Sequence, residues 1–323
     1  MAFPNVTDLV ATTIEYRSKD IADNVTKNNA LYAYLNKAGR IKTFSGGTKI
    51  FQELSFAANG NANWYSGLDL LPTAAADVIS AAEFPIRQAA VPILISGLEQ
   101  LQNAGPHQML DLLEARVEVG EASMANLMAS GAYADGTAAG GKQIIGMDAA
   151  VPIVPSAGVY GGIDRSTAIG TFWRSQVRTA GGAITTATVQ TEMNAMYANL
   201  VRGADSPNVV IMDPVWWQTF VASLQLIQRF TDTQTANLGF PTVKFFNADV
   251  VLDGGIGGFA TAKTAYWLNT KFIFLRPHAQ RNMVPLSPDK RYSTNQDAQI
   301  QIMAWAGNIT CAGAQFLGRA ITP

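Results

Sequence analysis

GPHQMLDLLEARVEVGEASMANLMASG, residues 105–131, opens on Gly105-Pro106 and closes on Gly131. Proline at the first helical position and glycine just past the end predict a helix from Pro106 to about Ser130. At 100° per residue Met109, Leu110, Leu112, Leu113, Val117, Met124, Leu127 and Met128 share one broad face. Asp111, Glu114, Glu118 and Glu121 form a narrow stripe beside it. With a rise of ~1.5 Å per residue the helix is about 36 Å long, enough to span a domain. Like charges at i, i+3 and i+4 spacing repel by a few tenths of a kcal/mol per pair unless cations lie opposite. Arg116 is the only arginine or lysine on this helix, so the stripe is either a solvated face or a contact for a basic segment of another subunit.

On the N-terminal side, Gly46 to about Ser96 reads as extended segments (Thr48 to Phe51, Ala90 to Ile95) around a long irregular stretch. Its centre, AANGNANWYSG (Ala57 to Gly67), is dense in turn residues. A structureless loop of this length is uncommon inside a compact domain and usually functional. It is expected to be a protruding hairpin with Trp64 and Tyr65 near its tip. The first ~45 residues are expected to be an arm with little core of its own, with a short helix after Asn28-Asn29 that ends near Gly39.

On the C-terminal side, composition shifts to Gly, Ala, Pro and Thr from Gly136 to Gly182. A second helix is predicted from the Thr185–Thr186 region to Arg202, and Asp213-Pro214 caps a third that directly follows the strand-like Asn208 to Met212. Strands are predicted at Thr242 to Phe246, Val250 to Leu252, Ala265 to Leu268 and Phe272 to Leu275. A last long one carries Ile300, Ile302 and Ala304 in alternation, then Ile309 and Cys311 beyond Gly307-Asn308. This order is α+β and lacks the regular strand–helix repeat of a doubly wound sheet.

The 323 residues are 48% hydrophobic and only 15% charged, with a net charge of -1. Soluble globular chains carry about 25% charged residues, so little of this surface is solvated charge. Disorder and a basic nucleic-acid binder are both disfavoured. Charge is uneven along the chain: residues 46–135 hold three basic and ten acidic side chains, whereas residues 1–45 hold six and four and residues 136–323 hold fourteen and ten. An acidic middle between basic flanks suits self-complementary contact. The N-terminus has no signal-peptide pattern and no apolar run approaches membrane-helix length, so a soluble protein of a reducing cytoplasm is expected.

Catalytic motifs fail on context. Gly136 to Gln143 nearly matches a phosphate loop, but a helix precedes it and Gln143 replaces the required hydroxyl. Gly255-Ile256-Gly257-Gly258-Phe259-Ala260 fits a dinucleotide-binding turn, but strand-like sequence follows it. His107 and His278 lack ligand spacing, and the single Cys311 lies in an apolar run. Asp249 and Asp253 flank a turn and are expected to be solvated. Neither a catalytic residue nor a cofactor or metal site is assigned, and the chain is not expected to be an enzyme.

The order and spacing of several short pieces resemble the major capsid proteins of tailed bacteriophages, whose fold is named for coliphage Hong Kong 97. These are Asp23-Asn24 with Asn29-Ala30-Leu31, Gly39, Gly46-Gly47-Thr48, and Ile95-Ser96-Gly97-Leu98-Glu99. Further on come Asp135-Gly136-Thr137 with Ile145-Gly146-Met147, and Tyr160-Gly161-Gly162-Ile163-Asp164-Arg165 with Trp173-Arg174. Trp267-Leu268-Asn269-Thr270 and Gly307-Asn308-Ile309 complete the series. The resemblance implies an N-terminal arm (1–45), an extended hairpin loop (46–95), a peripheral domain with a spine helix (96–190), an axial domain (191–290) and C-terminal strands returning to the peripheral domain (291–323).

It further implies self-assembly into pentamers and hexamers of an icosahedral head around double-stranded DNA, in a virion assembled in the host cytoplasm. Implied partners are a separate scaffolding protein, a portal and a decoration protein, with no sequence-specific DNA binding and no membrane. Asp111, Glu114, Glu118, Glu121, Trp64 and Tyr65 would then lie at subunit interfaces. An encapsulin-like compartment is the alternative on the same fold, and a cytoplasmic α+β enzyme a more remote one. Some members of the family join subunits through a hairpin lysine, but Lys49, the only lysine between residues 46 and 95, reads as the hairpin base.

Overall fold

Asn29 caps the first helix, α1 (Ala30–Lys37), its side-chain oxygen accepting from the N–H groups of Leu31 at 2.9 Å and Tyr32 at 3.3 Å. The computed structural model describes residues 29–74, 78–98, 106–224, 242–254, 258–286 and 298–323, excepting the side chains of residues 95, 106–115, 242, 298 and 299. Expected to lack a core, α1 instead lies inside the main one. Ala30 to Leu35 are all buried, and the Tyr32 hydroxyl donates to the Met128 carbonyl at 3.0 Å. A helix apolar on every side is a buried helix.

Strands β1 (Lys49–Ser55) and β2 (Ile79–Pro85) form a two-stranded antiparallel ribbon with Ile50 opposite Phe84 and Gln52 opposite Ala82. Strict alternation buries Ile50, Gln52 and Leu54 and turns Phe51 outward. One residue later β3 (Arg87–Ser96) begins. The long helix α2 spans Pro106–Tyr133, passing through the glycine predicted to end it. Gly131 does not end the helix, and a Cβ there would sit in ordinary contact with the Ile144 side chain. Val117, Met124 and Met128 are buried as predicted, whereas Leu127 is 46% exposed at the rim of the face. The side chains of Met109 to Leu113 lie outside the described residues.

The rest of the chain supplies β4 (Val159–Tyr160), β5 (Ile163–Asp164), β6 (Gln176–Thr179), α3 (Val189–Leu200), β7 (Val209–Met212) and α4 (Pro214–Leu224). It continues with β8 (Thr242–Phe245), β9 (Ala248–Leu252), β10 (Thr264–Leu268), β11 (Ile273–Pro277), β12 (Val284–Pro285), β13 (Ala298–Cys311) and β14 (Gly318–Ile321). Helix α3 starts later than predicted because Thr185 to Thr188 close a turn, the Thr185 N–H donating to the Thr188 hydroxyl at 3.0 Å. Asp213 caps α4 as predicted, accepting from the Trp216 N–H at 2.9 Å.

Two sheets organise the core. A six-stranded mixed sheet runs β6-β14-β10-β7-β9-β8, with α3 against β6 and β14 and α4 against β7 and β9. In the other, β13 pairs with β3 and also with β11 and β12, and α2 packs on β3. β13 runs unbroken through Gly307-Asn308. Buried Asn308 donates to the Pro85 carbonyl at 2.8 Å and accepts from the Ile145 N–H at 3.0 Å, tying the strand to the ribbon and to the loop after α2. The C-terminal strands divide between the sheets. After β13 a short turn at Ala314–Phe316 redirects the chain, and β14 enters the six-stranded sheet, where Gly318 lies against Met196 and Leu200.

Asp253, expected at a solvated turn, is buried. Its carboxylate accepts from the Tyr133 hydroxyl, the Asn29 side-chain amide at 3.5 Å and the Phe259 N–H at 3.4 Å, joining α1, the end of α2 and the turn after β9. Burial pushes its pKa above the ordinary carboxylate range, opposed by the Tyr133 and Phe259 hydrogen bonds. A carboxyl whose folded pKa exceeds its unfolded value binds the proton more tightly in the native state, so its contribution to stability falls as pH rises through that window. Asp253→Asn is therefore expected to melt above the wild type at neutral pH, with the gap closing toward about pH 4. A gap independent of pH would contradict this reading of Asp253.

Candidate assembly surfaces

An aromatic clasp holds the hairpin base. The Tyr160 ring lies between the Arg165 guanidinium, 4.8 Å away, and the Trp173 indole, stacked at 5.8 Å, and meets Phe84 of β2 edge-on at 5.3 Å. Trp173 Nε1 donates to the Tyr160 carbonyl at 2.9 Å, and the Gly161 carbonyl accepts from Glu83 of β2 at 2.9 Å. Gly161 has φ +58°, and a Cβ there would press on Ala82 and Phe84. Buried Arg165 donates to the carbonyls of Ala149 at 3.0 Å and Ala150 at 2.7 Å. The sequence Tyr160 to Arg165 with Trp173 thus joins the ribbon to the core alongside the Asn308–Pro85 and Arg276–Gln52 hydrogen bonds.

Beyond the ribbon, the described tip makes only local hydrogen bonds. The Asn59 side chain accepts from the Asn61 N–H at 3.0 Å, Asp69 accepts from the Ser66 N–H at 2.9 Å, and the Asn61 amide donates to the Ala74 carbonyl. Trp64 and Leu70 are each 99% exposed, and Tyr65, Leu68 and Leu71 are exposed with them. Phe51 and Ile79 extend this apolar surface along the outer face of the ribbon. Full burial of such side chains contributes about 1.5–3 kcal/mol each. Exposed apolar side chains gathered on one segment mark a candidate interaction site.

Of the residues predicted at interfaces, Trp64 and Tyr65 are on this tip. Glu118 is exposed on α2 and Glu121 is half-buried, whereas the side chains of Asp111 and Glu114 lie outside the described residues. Leu68, Leu70 and Leu71 escaped sequence reasoning. Their signal was an aperiodic apolar cluster inside a turn-rich stretch, which no strand or helix could bury.

The residues weighed for chemistry are placed differently. Cys311 is buried, and desolvation pushes its thiol up to about 12, leaving it a small hydrophobe. His278 is half-buried, edge-on to Phe44 at 5.0 Å, its Nδ1 accepting from the Gln280 N–H at 3.1 Å. After Gly136, Ala139 and Gly140 take left-handed conformations in a short turn, and strand β10 follows the glycine turn at 254–260, whose residues 255–257 lie outside the described set. Among the described residues no group of three His, Cys, Asp or Glu side chains could hold a metal ion, and no helix is long and apolar enough to cross a membrane.

No family model and no curated protein matches the sequence. Solved structures do match. The capsid asymmetric unit of cyanophage A-1(L) superposes with a TM-score of 0.59 at 14% identity, covering 87% of this chain and 90% of that one. The capsid of a native GTA particle gives 0.58 at 11% identity, over 89% and 90%. An encapsulin complex from Synechococcus elongatus gives 0.51 at 7% identity, over 89% and 86%. The fold of this chain is therefore the Hong Kong 97-type capsid fold, the α+β class expected from its sequence.

Proposed function

We propose that this chain is a structural major capsid protein, assembling with copies of itself as pentamers and hexamers into an icosahedral phage head around double-stranded DNA. The observation that carries the reading is the exposed apolar hairpin tip on a fold shared over nearly the whole length of phage shell proteins. Such a tip has no use in an isolated molecule, and a neighbouring copy would cover it. In this reading the ribbon β1–β2 with its tip is the hairpin, and the sheet of β3, β11, β12 and β13 with α1 and α2 is the peripheral domain, α2 its spine. The six-stranded sheet with α3 and α4 is the axial domain, so that of residues 191–290 the strands β11 and β12 fall outside it and β6 and β14 join it from elsewhere in the chain. A separate scaffolding protein, a portal and a decoration protein are the partners proposed for such a shell. With a net charge of -1, the protein would enclose DNA without condensing it or reading its sequence.

Nuclease treatment of purified particles tests the reading: protected double-stranded DNA is expected, whereas cargo protein without DNA would favour an encapsulin-like compartment. Lys49 is at the ribbon base, paired with Glu83 at 2.5 Å and far from the tip in register. Mature particles are accordingly expected to run as a single band on a denaturing gel, and a ladder of covalent multimers would refute this.

A further inference from the structure

After α1 the chain runs parallel to β11. The Leu275 carbonyl accepts from Lys42 at 2.9 Å, the Arg40 carbonyl accepts from Leu275 at 3.1 Å, and the Pro277 carbonyl accepts from Phe44 at 3.1 Å. Ile41 pairs with Leu275 in this register, so alternation places Arg40, Lys42, Phe274 and Arg276 on one face. Three cations then surround one ring. The Phe274 centroid is 5.4 Å from the Arg40 guanidinium, 5.1 Å from the Lys42 ammonium and 5.4 Å from the Arg276 guanidinium. Among the described residues none of the three meets a carboxylate. Arg276 donates to the Gln52 side chain at 2.9 Å, and the Nε atoms of Arg40 and Arg276 are buried without a partner. Cation–π attraction offsets about 0.5–1 kcal/mol per cation at such a site, but it leaves the charge unneutralised.

We infer that this cationic face, Arg40, Lys42 and Arg276 around Phe274, binds the acidic stripe of the long helix of a second copy, centred on Glu114 and Glu118. The inference rests on the shell reading and deepens it. Complementarity selects this occupant. Residues 46–135 carry a large acidic excess, Glu118 is exposed, and the stripe, like the cationic face, concentrates one sign of charge. Rows of like charge on two faces of the same chain relieve each other when copies meet, and opposed charges fix the register of the contact.

A charge swap decides it. Arg40→Glu with Lys42→Glu is expected to lower shell yield at least about tenfold at 0.1 M salt, as is Glu114→Lys with Glu118→Lys, while both unassembled proteins keep the wild-type melting temperature. Combining all four changes is expected to restore shells. Should the reversed cations unsettle the fold, Arg40→Gln with Lys42→Gln keeps the test open. Shell formation by that variant should lose most of the wild-type sensitivity to salt. Wild-type yields in both reversals would overturn the inference and leave the shell reading intact. Blocked assembly that the fourfold swap does not rescue would overturn the acidic helix as occupant. A wild-type chain that never forms shells would remove the shell reading and this inference with it.

Discussion

Replacing Trp64, Leu68 and Leu70 together by serine is expected to abolish shell assembly while leaving the unassembled protein as stable as the wild type. All three side chains are exposed on a tip that contributes nothing to either buried core, and surface changes of this kind usually cost within ±0.5 kcal/mol. Covered by a neighbour, the same three side chains would contribute roughly 4–9 kcal/mol per contact, so losing them weakens subunit association at least about a thousandfold. Thermal unfolding and sedimentation of the same sample separate the two effects. A variant that assembles normally would show that the tip is not an interface, and one that unfolds early would show that it belongs to the monomer's own core.

Trp173→Ala is expected to have the opposite signature, a large loss of stability in the isolated chain. The indole is buried, stacks on Tyr160 and donates to its carbonyl at 2.9 Å. Truncating a buried Trp to Ala costs about 3–5 kcal/mol. For a domain of typical stability, about 5–15 kcal/mol in total, this is about a fifth or more of the margin. The loss should be felt at the ribbon, because Tyr160 is the group that meets Phe84. Urea midpoints measure the change, and amide exchange along β1 and β2 should rise with it. Trp173→Phe retains most of the apolar volume and is expected to recover part of the loss. A change below about 1 kcal/mol for the alanine variant would contradict the clasp.

The long helix and the hairpin were legible because their signals are local. Proline opens α2, although the helix runs two residues past the glycine expected to close it, and an Asn-Gly-rich stretch between two extended runs is a strong hairpin signal. What stayed hidden is what depends on partners distant in sequence. The eight residues of α1 read as a helix, but their apolarity on every side could not say whether the cover is this chain's core or a neighbour's. Asp253 sits between glycines and hydrophobes as a turn residue would, and only Tyr133 and Asn29, 120 and 224 positions away, make it a buried one. The cationic face requires residues 40–44 to pair with β11, a parallel contact that no composition or period encodes. The long helix's acidic stripe was visible, and the cations proposed to meet it were not.

The central claim is that this chain closes into shells, and sedimentation velocity with negative-stain microscopy of the purified protein, alone and co-expressed with its neighbouring genes, tests it most directly. Closed shells, tubes or free capsomers are the predicted result, and with them the tip and the acidic stripe become interfaces to be mapped. A monodisperse monomer or dimer under both conditions would contradict the account.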